Sequence, residues 1–126
     1  MSRTNFSSGA TWENHVGYSR AVKIGNIIEV SGTVAADGDK VIGEGDPYAQ
    51  TKYIIAKIEA VLIKAGASLH DVVRTRMFVT DISAWEDIGK AHGEFFQAIK
   101  PATTMVEVKR LIDDRYLVEI EVTAVI

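Results

Sequence analysis

Two stretches of alternating residue character near the C-terminus constrain the fold more than any other feature. Residues 103–111 and 116–126 both place apolar and polar side chains at alternate positions. Alternation with a period of two predicts strands that have one face towards a core and one face away from it. In the second stretch Glu119 and Glu121 point away from the apolar face, so they project from one strand face ~7 Å apart. Asp113-Asp114 supplies a turn, and the two stretches therefore predict a C-terminal hairpin.

Turn and capping residues divide the rest of the chain into further elements. Gly25-Asn26 and Asp37-Gly38 are turn signals, since these residue types accept positive φ. Asp46-Pro47 predicts the start of a helix, and Ser83 with Glu86 predicts a capping box at the start of a second helix. The predicted elements are an irregular arm at 1–14, strands at 18–24, 27–34, 40–42 and 71–80, helices at 46–65 and 83–99, and the C-terminal hairpin.

The composition excludes several classes of protein. The 126 residues predict a single domain, 1–126, and the absence of cysteine excludes disulfides and thiolate metal sites. The formal net charge is −3 and the basic residues are scattered, which argues against a nucleic-acid partner. No apolar run approaches the ~20 residues of a membrane helix, and the first residues lack the apolar core of a signal peptide. We therefore expect a soluble, cytoplasmic protein with no membrane partner.

The sheet face that the helices leave uncovered carries the information about function. Two amphipathic helices cover only one face of a sheet. Val106 and Val108 are expected on the covered, apolar face. The mixture of apolar and charged residues on the other face is typical of a self-associating surface that contains a polar pocket. By alternation, that face carries Glu29, Ser31, Thr33, Arg74, Arg76, Phe78, Thr103, Met105, Glu107, Lys109, Glu119 and Glu121.

A series of short motifs spans nearly the whole chain in a fixed order. The motifs are Gly17-Tyr18-Ser19-Arg20-Ala21-Val22, Gly25-Asn26, Val30-Ser31-Gly32, Ala65-Gly66-Ala67-Ser68-Leu69, Asp71-Val72-Val73, Phe78-Val79-Thr80-Asp81, Phe95-Phe96, Pro101-Ala102 and Val118-Glu119-Ile120-Glu121. The first resembles a Gly-Pro-Tyr-Ser-Gln-Ala segment. Together the motifs resemble those of the Rid family, the reactive intermediate deaminases, which are also called YjgF-like proteins.

The resemblance implies a fold, an assembly and a chemistry. It implies an α+β, chorismate-mutase-like fold with a mixed sheet, two helices packed on one face, and a homotrimeric barrel with three inter-subunit clefts. The best-known members hydrolyse enamines and imines to ketoacids and ammonia without a metal or cofactor. An arginine after the Pro-Ala pair binds the substrate carboxylate, the first glutamate of Glu-Ile-Glu positions water, and an early tyrosine lines the cleft. Glu119 and Tyr18 match two of these positions, but Thr103 stands where the arginine is expected, as in a subgroup without that residue.

Each candidate site residue has a functional and a structural interpretation. Glu119 is the candidate catalytic residue, and its alternative is a cross-strand ion pair with Lys109 or Arg76. Arg76 is a candidate to replace the missing guanidinium, and its alternative is an inter-subunit salt bridge. The other candidate substrate-binding residues are Tyr18, Ser31, Gly32, Thr103 and Met105, for which packing or backbone hydrogen bonding is the alternative.

Other kinds of site find less support in the sequence. His15, His70 and His92 lie on different elements without the spacing of metal ligands, so no metal site is predicted. Some relatives carry an endoribonuclease label, but the sequence predicts neither a basic groove nor a stacking platform for RNA.

Two hypotheses of function follow from the candidates. The first is an enzyme that hydrolyses a small imine or enamine in the inter-subunit cleft, which Glu119 and Tyr18 favour. The second is a trimer that binds a small metabolite, or stabilises a partner enzyme, without chemistry, which Thr103 favours.

Overall fold

A six-stranded mixed sheet lies at the centre of the computed structural model, which describes residues 1–126. The elements are, in chain order, β1 (Arg3–Phe6), α1 (Thr11–Val16), β2 (Ala21–Ile24), β3 (Ile27–Thr33), β4 (Ala36–Asp37), β5 (Lys40–Val41), α2 (Pro47–Lys64), β6 (Val72–Val79), α3 (Trp85–Phe96), β7 (Ala102–Glu107) and β8 (Val118–Val125). The strand order is β1-β2-β3-β8-β6-β7, and β4 and β5 form a separate hairpin. The expected α+β fold with a mixed sheet is confirmed.

The helix α2 begins and ends where its capping residues predict. The Asp46 side chain accepts a hydrogen bond of 3.0 Å from the backbone N–H of Ala49, and Pro47 occupies the first turn. Gly66 follows the helix with a φ of 86° and ends it, because this left-handed conformation favours glycine. The capping residues therefore define both ends of the helix.

The helix α3 begins differently from the prediction. The expected capping box of Ser83 and Glu86 is wrong, since the Asp81 carboxylate accepts from the Ser83 N–H and caps a short 3-10 turn, Ile82–Ala84, ahead of the helix. Trp85 was expected on the buried side but is 56 % exposed, because it is the first residue of α3. Ile88 is buried as expected. Phe95 and Ile99, also expected on the buried side, are partly buried and pack against the core, whereas Phe96 is the fully buried aromatic residue of the helix.

The core lies between one sheet face and the two longer helices. Along β3, β6 and β8, buried residues that face the helices alternate with residues that face away from them, as expected for a sheet with helices on one face only. The buried cluster includes Ile28, Val30, Ile54, Ile55, Ile58, Leu62, Val72, Met77, Val79, Ile88, Phe96, Val118, Ile120, Val122 and Ala124. None of the helices combines the length and apolar character needed to cross a membrane.

Two predictions about the chain termini are wrong. The segment 1–14 is not irregular throughout, since β1 pairs with β2 at the sheet edge and α1 follows it. The last two strands do not form a hairpin, because β6 lies between β7 and β8. The strands β6 and β7 are parallel, and α3 provides the crossover connection that parallel neighbours require. After β7 the chain passes back across β6 and forms β8, which pairs with β6 on its other side.

Strand β3 contains one extra residue, which changes the face of Thr33. Val30 lies opposite Val122 and Thr33 lies opposite Ile120, so three steps along β3 match two along β8. The irregularity at Ser31-Gly32 is a β-bulge. As a result Thr33 is buried on the helix-covered face, with 2 % exposure, and its expected position on the other face is wrong.

The face assignment of strand β7 is also reversed. Thr103 lies beside Thr75, Met105 beside Met77 and Glu107 beside Val79, so all three belong to the helix-covered side. Their expected position beside Glu119 is wrong, and Lys109 lies beyond the strand. The uncovered side of β7 instead carries Thr104 and Val106, and Val106 was expected in the core.

We predict that Asp46→Ala lowers the free energy of unfolding by about 1 kcal/mol, because the N-terminal N–H of Ala49 loses its acceptor. Urea denaturation at fixed protein concentration measures the change. Ser83→Ala is the control and should change stability by less than about 0.5 kcal/mol, because Ser83 does not cap α3. Equal losses in the two variants would contradict this description of the helix starts.

Candidate functional site

The candidate site lies on the sheet face that α2 and α3 do not cover, here called the open face. Strand pairing places the Glu119 and Glu121 side chains of β8 on this face together with Arg76 and Phe78 of β6. Its strand residues are Arg3, Asn5, Val22, Ile24, Ile27, Glu29, Arg74, Arg76, Phe78, Ala102, Thr104, Val106, Glu119, Glu121, Thr123 and Val125. The open face thus combines acidic, basic and apolar side chains.

The carboxylate of Glu119 rests against the backbone of Gly32. A Cβ atom at Gly32 would lie 2.1 Å from Glu119 Oε2, which is far inside van der Waals contact. A larger residue at position 32 would therefore force the Glu119 side chain out of this position. Glu119 is half-buried, and burial raises the pKa of its carboxyl group. The charge of Arg20 opposes this rise and that of Glu121 adds to it.

Arg20 is the arginine whose charge acts on Glu119. Its Nη2 donates a hydrogen bond of 2.6 Å to the Gly32 carbonyl oxygen, on the same bulge that Glu119 contacts. Its Cζ lies 5.9 Å from the centroid of the Tyr18 ring, within cation–π range. The sequence analysis missed Arg20, although alternation along the predicted strand at 18–24 places Tyr18, Arg20 and Val22 on one side.

Tyr18 and Ser31 border a cavity beside this cluster. Tyr18 is 38 % exposed, whereas the Ser31 hydroxyl donates to the Ser19 carbonyl oxygen at 2.7 Å, so its proton is already used by the backbone. The cavity has a volume of about 480 Å³. Its lining comprises Arg3, Asn5, Glu13, Asn14, Gly17, Tyr18, Ser19, Val22 and Ser31. The structure therefore places two predicted site residues at one cavity, next to Arg20.

Arg76 lies on the open face but not beside Glu119. It is opposite Glu121 in the strand register, and its Nη1 is 3.6 Å from Glu121 Oε1. Phe78 is the residue opposite Glu119. Both partners of the ion pair are partly exposed, so the pair contributes little stability. A second cavity, of about 230 Å³, is lined in part by Arg76, Glu121 and Ser31.

Thr103 and Met105 lie on the other side of the sheet within one chain. The Thr103 hydroxyl is 2.8 Å from the Thr75 hydroxyl, which is 3.0 Å from His92 Nε2. Burial lowers the pKa of His92, so its neutral form is favoured in this chain of hydrogen bonds. Met105 packs against the core. Thr103 and Met105 therefore do not join Glu119 within the chain, and their part in ligand binding stays a prediction.

No group of three or more histidine, aspartate or glutamate side chains is arranged to hold a metal ion. The chemical groups available at the site are therefore the Glu119 carboxylate, the Arg20 guanidinium, the Tyr18 hydroxyl and backbone atoms. Together they are suited to proton transfer and hydrogen bonding with a small polar molecule.

Comparisons with known proteins identify the family of this chain. The family model described as Endoribonuclease L-PSP matches residues 10–126. A RutC family protein of Pyrococcus abyssi is 41 % identical over 85 % of this chain and 84 % of its own length. The crystal structure of Mycobacterium tuberculosis Rv2704, of the YjgF/YER057c/UK114 family, has 49 % identity and a TM-score of 0.89, with coverage of 99 % of this chain and 100 % of that one. The structure of Escherichia coli TdcF with bound serine has 26 % identity and a TM-score of 0.78, covering 86 % and 87 %.

We predict that Gly32→Ala lowers the free energy of unfolding by about 1–2 kcal/mol, because the added methyl group displaces the half-buried Glu119 carboxylate from its position. In a Glu119→Ala background the same change should cost less than about 1 kcal/mol, since the colliding group is gone. Urea denaturation of the four proteins measures this coupling.

Gly89→Ala is the matched control, because no atom lies within 4 Å of the added Cβ. In the interior of α3 it should stabilise the protein by about 0.5–1 kcal/mol. An equal cost of Gly32→Ala with and without Glu119 would contradict the contact.

Proposed function

The chain belongs to the Endoribonuclease L-PSP family, whose members also carry the names YjgF, RutC and Rid, and on this premise we propose that it is a cytoplasmic homotrimer whose inter-subunit clefts hydrolyse small imines or enamines. The observation that carries the proposal is the half-buried Glu119 carboxylate on the open face. It lies next to a cation and close to residues that line a cavity. The bound serine of TdcF supports a small, polar ligand for that relative.

Glu119 acts as the general base in the proposed reaction. Its carboxylate accepts a proton from water while the water oxygen bonds to the imine carbon, and the C=N electron pair moves to nitrogen. That first proton passes from Glu119 to the nitrogen and gives a neutral carbinolamine. Glu119 then accepts the proton of the carbinolamine hydroxyl as C=O forms and the C–N bond breaks, and this second proton passes to the departing nitrogen, which leaves as ammonia. A raised carboxyl pKa matches this role, because a base with a pKa closer to neutrality also returns the proton more readily. The reaction consumes only water and needs no cofactor.

The open face supports the proposed trimer. Ile24, Ile27, Val106 and Val125 all lie on it and are 37–47 % exposed, which leaves apolar area uncovered in one chain. Uncovered apolar area on a sheet face is typical of a subunit interface. The edge strand β7 carries Val106 onto this face. In the proposed assembly that edge brings Thr103 of one subunit towards Glu119 of the next.

A metabolite-binding trimer without catalysis is the second candidate function. Thr103 favours it, because a threonine hydroxyl cannot replace the guanidinium with which the arginine of related enzymes binds a carboxylate through two hydrogen bonds. The Thr103 hydroxyl is also already hydrogen-bonded to Thr75. The two candidates differ in one measurement, which is turnover. A trimer that binds ketoacids but releases no ammonia from an imine would be the binding protein.

We predict that the protein sediments at equilibrium with about three times the 13.8 kDa mass of the chain at micromolar concentration. Val106→Lys should shift the protein towards monomer, because it places a charge within the apolar part of the open face. Ile112→Lys is the control, since Ile112 is 82 % exposed in the loop between β7 and β8, and it should leave the mass unchanged. A wild-type monomer would exclude inter-subunit clefts.

We predict that Glu119→Gln lowers the rate of 2-aminoacrylate hydrolysis by a factor of about 10²–10⁴, because an amide does not accept the proton from water. The substrate is generated in situ and the ketoacid product is trapped as its semicarbazone. Glu121→Gln, on the same strand face and paired with Arg76, should retain most of the rate. A wild-type rate no higher than that in buffer would contradict the enzyme and favour the binding protein.

The stability of Glu119→Gln separates loss of chemistry from loss of fold. Burial raises the folded-state pKa of Glu119, so the fold disfavours its ionised form and stability falls as the pH rises through that pKa. Glutamine removes this unfavourable charge. At pH 7 the variant should therefore unfold at a urea concentration no lower than the wild type, even though its rate falls.

A further inference from the structure

Four arginines lie along the open face, and three of them have side-chain partners. Arg3 Nε donates to Asn5 Oδ1 at 3.1 Å. Arg74 Nη2 donates to the Thr104 hydroxyl at 2.5 Å, and Arg76 pairs with Glu121. The Arg20 guanidinium makes one hydrogen bond within the chain, to the Gly32 carbonyl oxygen. A guanidinium has five N–H donors, so most of the donor capacity of Arg20 is unused.

The unused capacity of Arg20 includes a buried atom. Its Nε is buried and has no hydrogen-bond partner. A buried donor without an acceptor is costly, and the large majority of buried side-chain polar atoms in native proteins are hydrogen-bonded to protein or water. The neighbouring carboxylate of Glu119 does not fill this role, because no hydrogen bond joins it to Arg20. The hydrogen bond to the Gly32 carbonyl oxygen therefore positions the guanidinium, and its remaining N–H donors have no acceptor within the chain.

Another cation near Arg20 is already used by the backbone. Lys57 Nζ donates to the Ala36 carbonyl oxygen at 2.8 Å and to that of Val34 at 3.4 Å. Burial and the charge of Arg20 both lower the pKa of Lys57. Of these two cations, Arg20 is thus the one with unused donors for a ligand.

The position of Arg20 determines what kind of acceptor fits. The Tyr18 ring packs near the guanidinium, and the backbone of Arg20 is fixed by Ser31, whose N–H donates to the Arg20 carbonyl oxygen at 3.0 Å. Both neighbours line the larger cavity. A planar carboxylate matches the fork of a guanidinium with two parallel hydrogen bonds. Glu119 contacts Gly32, the residue to which Arg20 donates, so a ligand held by Arg20 would lie in the neighbourhood of Glu119.

We propose that Arg20 binds the carboxylate of the ligand, in place of an arginine after Pro101-Ala102, and so selects small α-imino or α-keto acids over neutral analogues. The inference rests on the proposed function, because it assigns the specificity of that same cleft. It assigns carboxylate binding to Arg20 rather than to Arg76, because the Arg76 guanidinium already pairs with Glu121. It also explains how a chain with Thr103 at the expected arginine position can still bind an anion.

Calorimetric titration of the purified trimer with pyruvate and with pyruvamide tests the proposal. The two probes share one skeleton, but only pyruvate carries a carboxylate. The wild type should bind pyruvate at least about tenfold more tightly than pyruvamide, as expected for a hydrogen bond to a charged group. Arg20→Gln should weaken pyruvate binding by about ten- to a hundredfold and leave pyruvamide binding unchanged. Arg20→Lys should recover only part of the loss, because a point charge lacks the fork.

Two further arginine variants complete the test. Arg110→Gln removes an arginine from an exposed loop pair with Asp114 and should bind pyruvate like the wild type. Arg76→Gln separates the two candidate arginines. Loss of pyruvate binding in Arg76→Gln but not in Arg20→Gln would overturn the proposal, as would equal wild-type affinity for the two probes or no binding of either. The wild-type comparison and Arg20→Lys keep the test decisive if Arg20→Gln does not fold.

The outcomes distinguish this inference from the proposed function. If turnover depends on Glu119 but Arg20→Gln binds pyruvate like the wild type, the assignment of Arg20 is contradicted and the proposed hydrolase activity is supported. Pyruvate binding that depends on Arg20 without turnover would support Arg20 and leave the binding protein.

Discussion

One extra residue in β3 sets the geometry on both faces of the sheet. Between the pairs Val30–Val122 and Thr33–Ile120, the chain of β3 takes one step more than β8. This bulge turns Thr33 into the core and presents the backbone of Gly32 to the other side. The Gly32 carbonyl oxygen then accepts from Arg20, and the space over its Cα admits the Glu119 carboxylate. Two opposite charges from distant parts of the sequence are thus positioned by a single backbone irregularity.

The elements that the sequence predicted well are those whose signals are local. The capping side chain of Asp46 and the glycine at position 66 mark the ends of α2 without reference to the rest of the fold. In β8, burial of Ile120 and Val122 follows from alternation because the strand has neighbours on both sides. Alternation contains no information about which strand pairs with which. The predicted hairpin failed for that reason, since β6 lies between the two C-terminal strands.

The errors at the site have a related physical cause. In β7 both the odd-numbered and the even-numbered positions include polar residues, and both faces of an edge strand are accessible. The residue types at positions 103 and 104 therefore gave no basis for assigning either threonine to a face. The position of Glu119 was predictable because its strand is regular. The contact with Gly32 was not, because it depends on the bulge. The pairing of Arg76 with Glu121 depends on strand register, which alternation alone does not provide. Arg20, by contrast, was within reach of the alternation argument and was overlooked.

The hydrogen-bonded series from His92 through Thr75 to Thr103 has two self-consistent arrangements of its protons. In one, His92 Nε2 carries the hydrogen, Thr75 donates to Thr103, and Thr103 donates to the Pro101 carbonyl oxygen, which lies 3.2 Å away. In the other, Thr103 donates to Thr75, Thr75 donates to an unprotonated Nε2, and the Pro101 carbonyl is released. The neutral imidazole exists as two tautomers, and each selects one direction. The tautomer of the partly buried His92 ring therefore sets the direction in which the Thr103 hydroxyl, on the edge strand β7, donates its hydrogen bond.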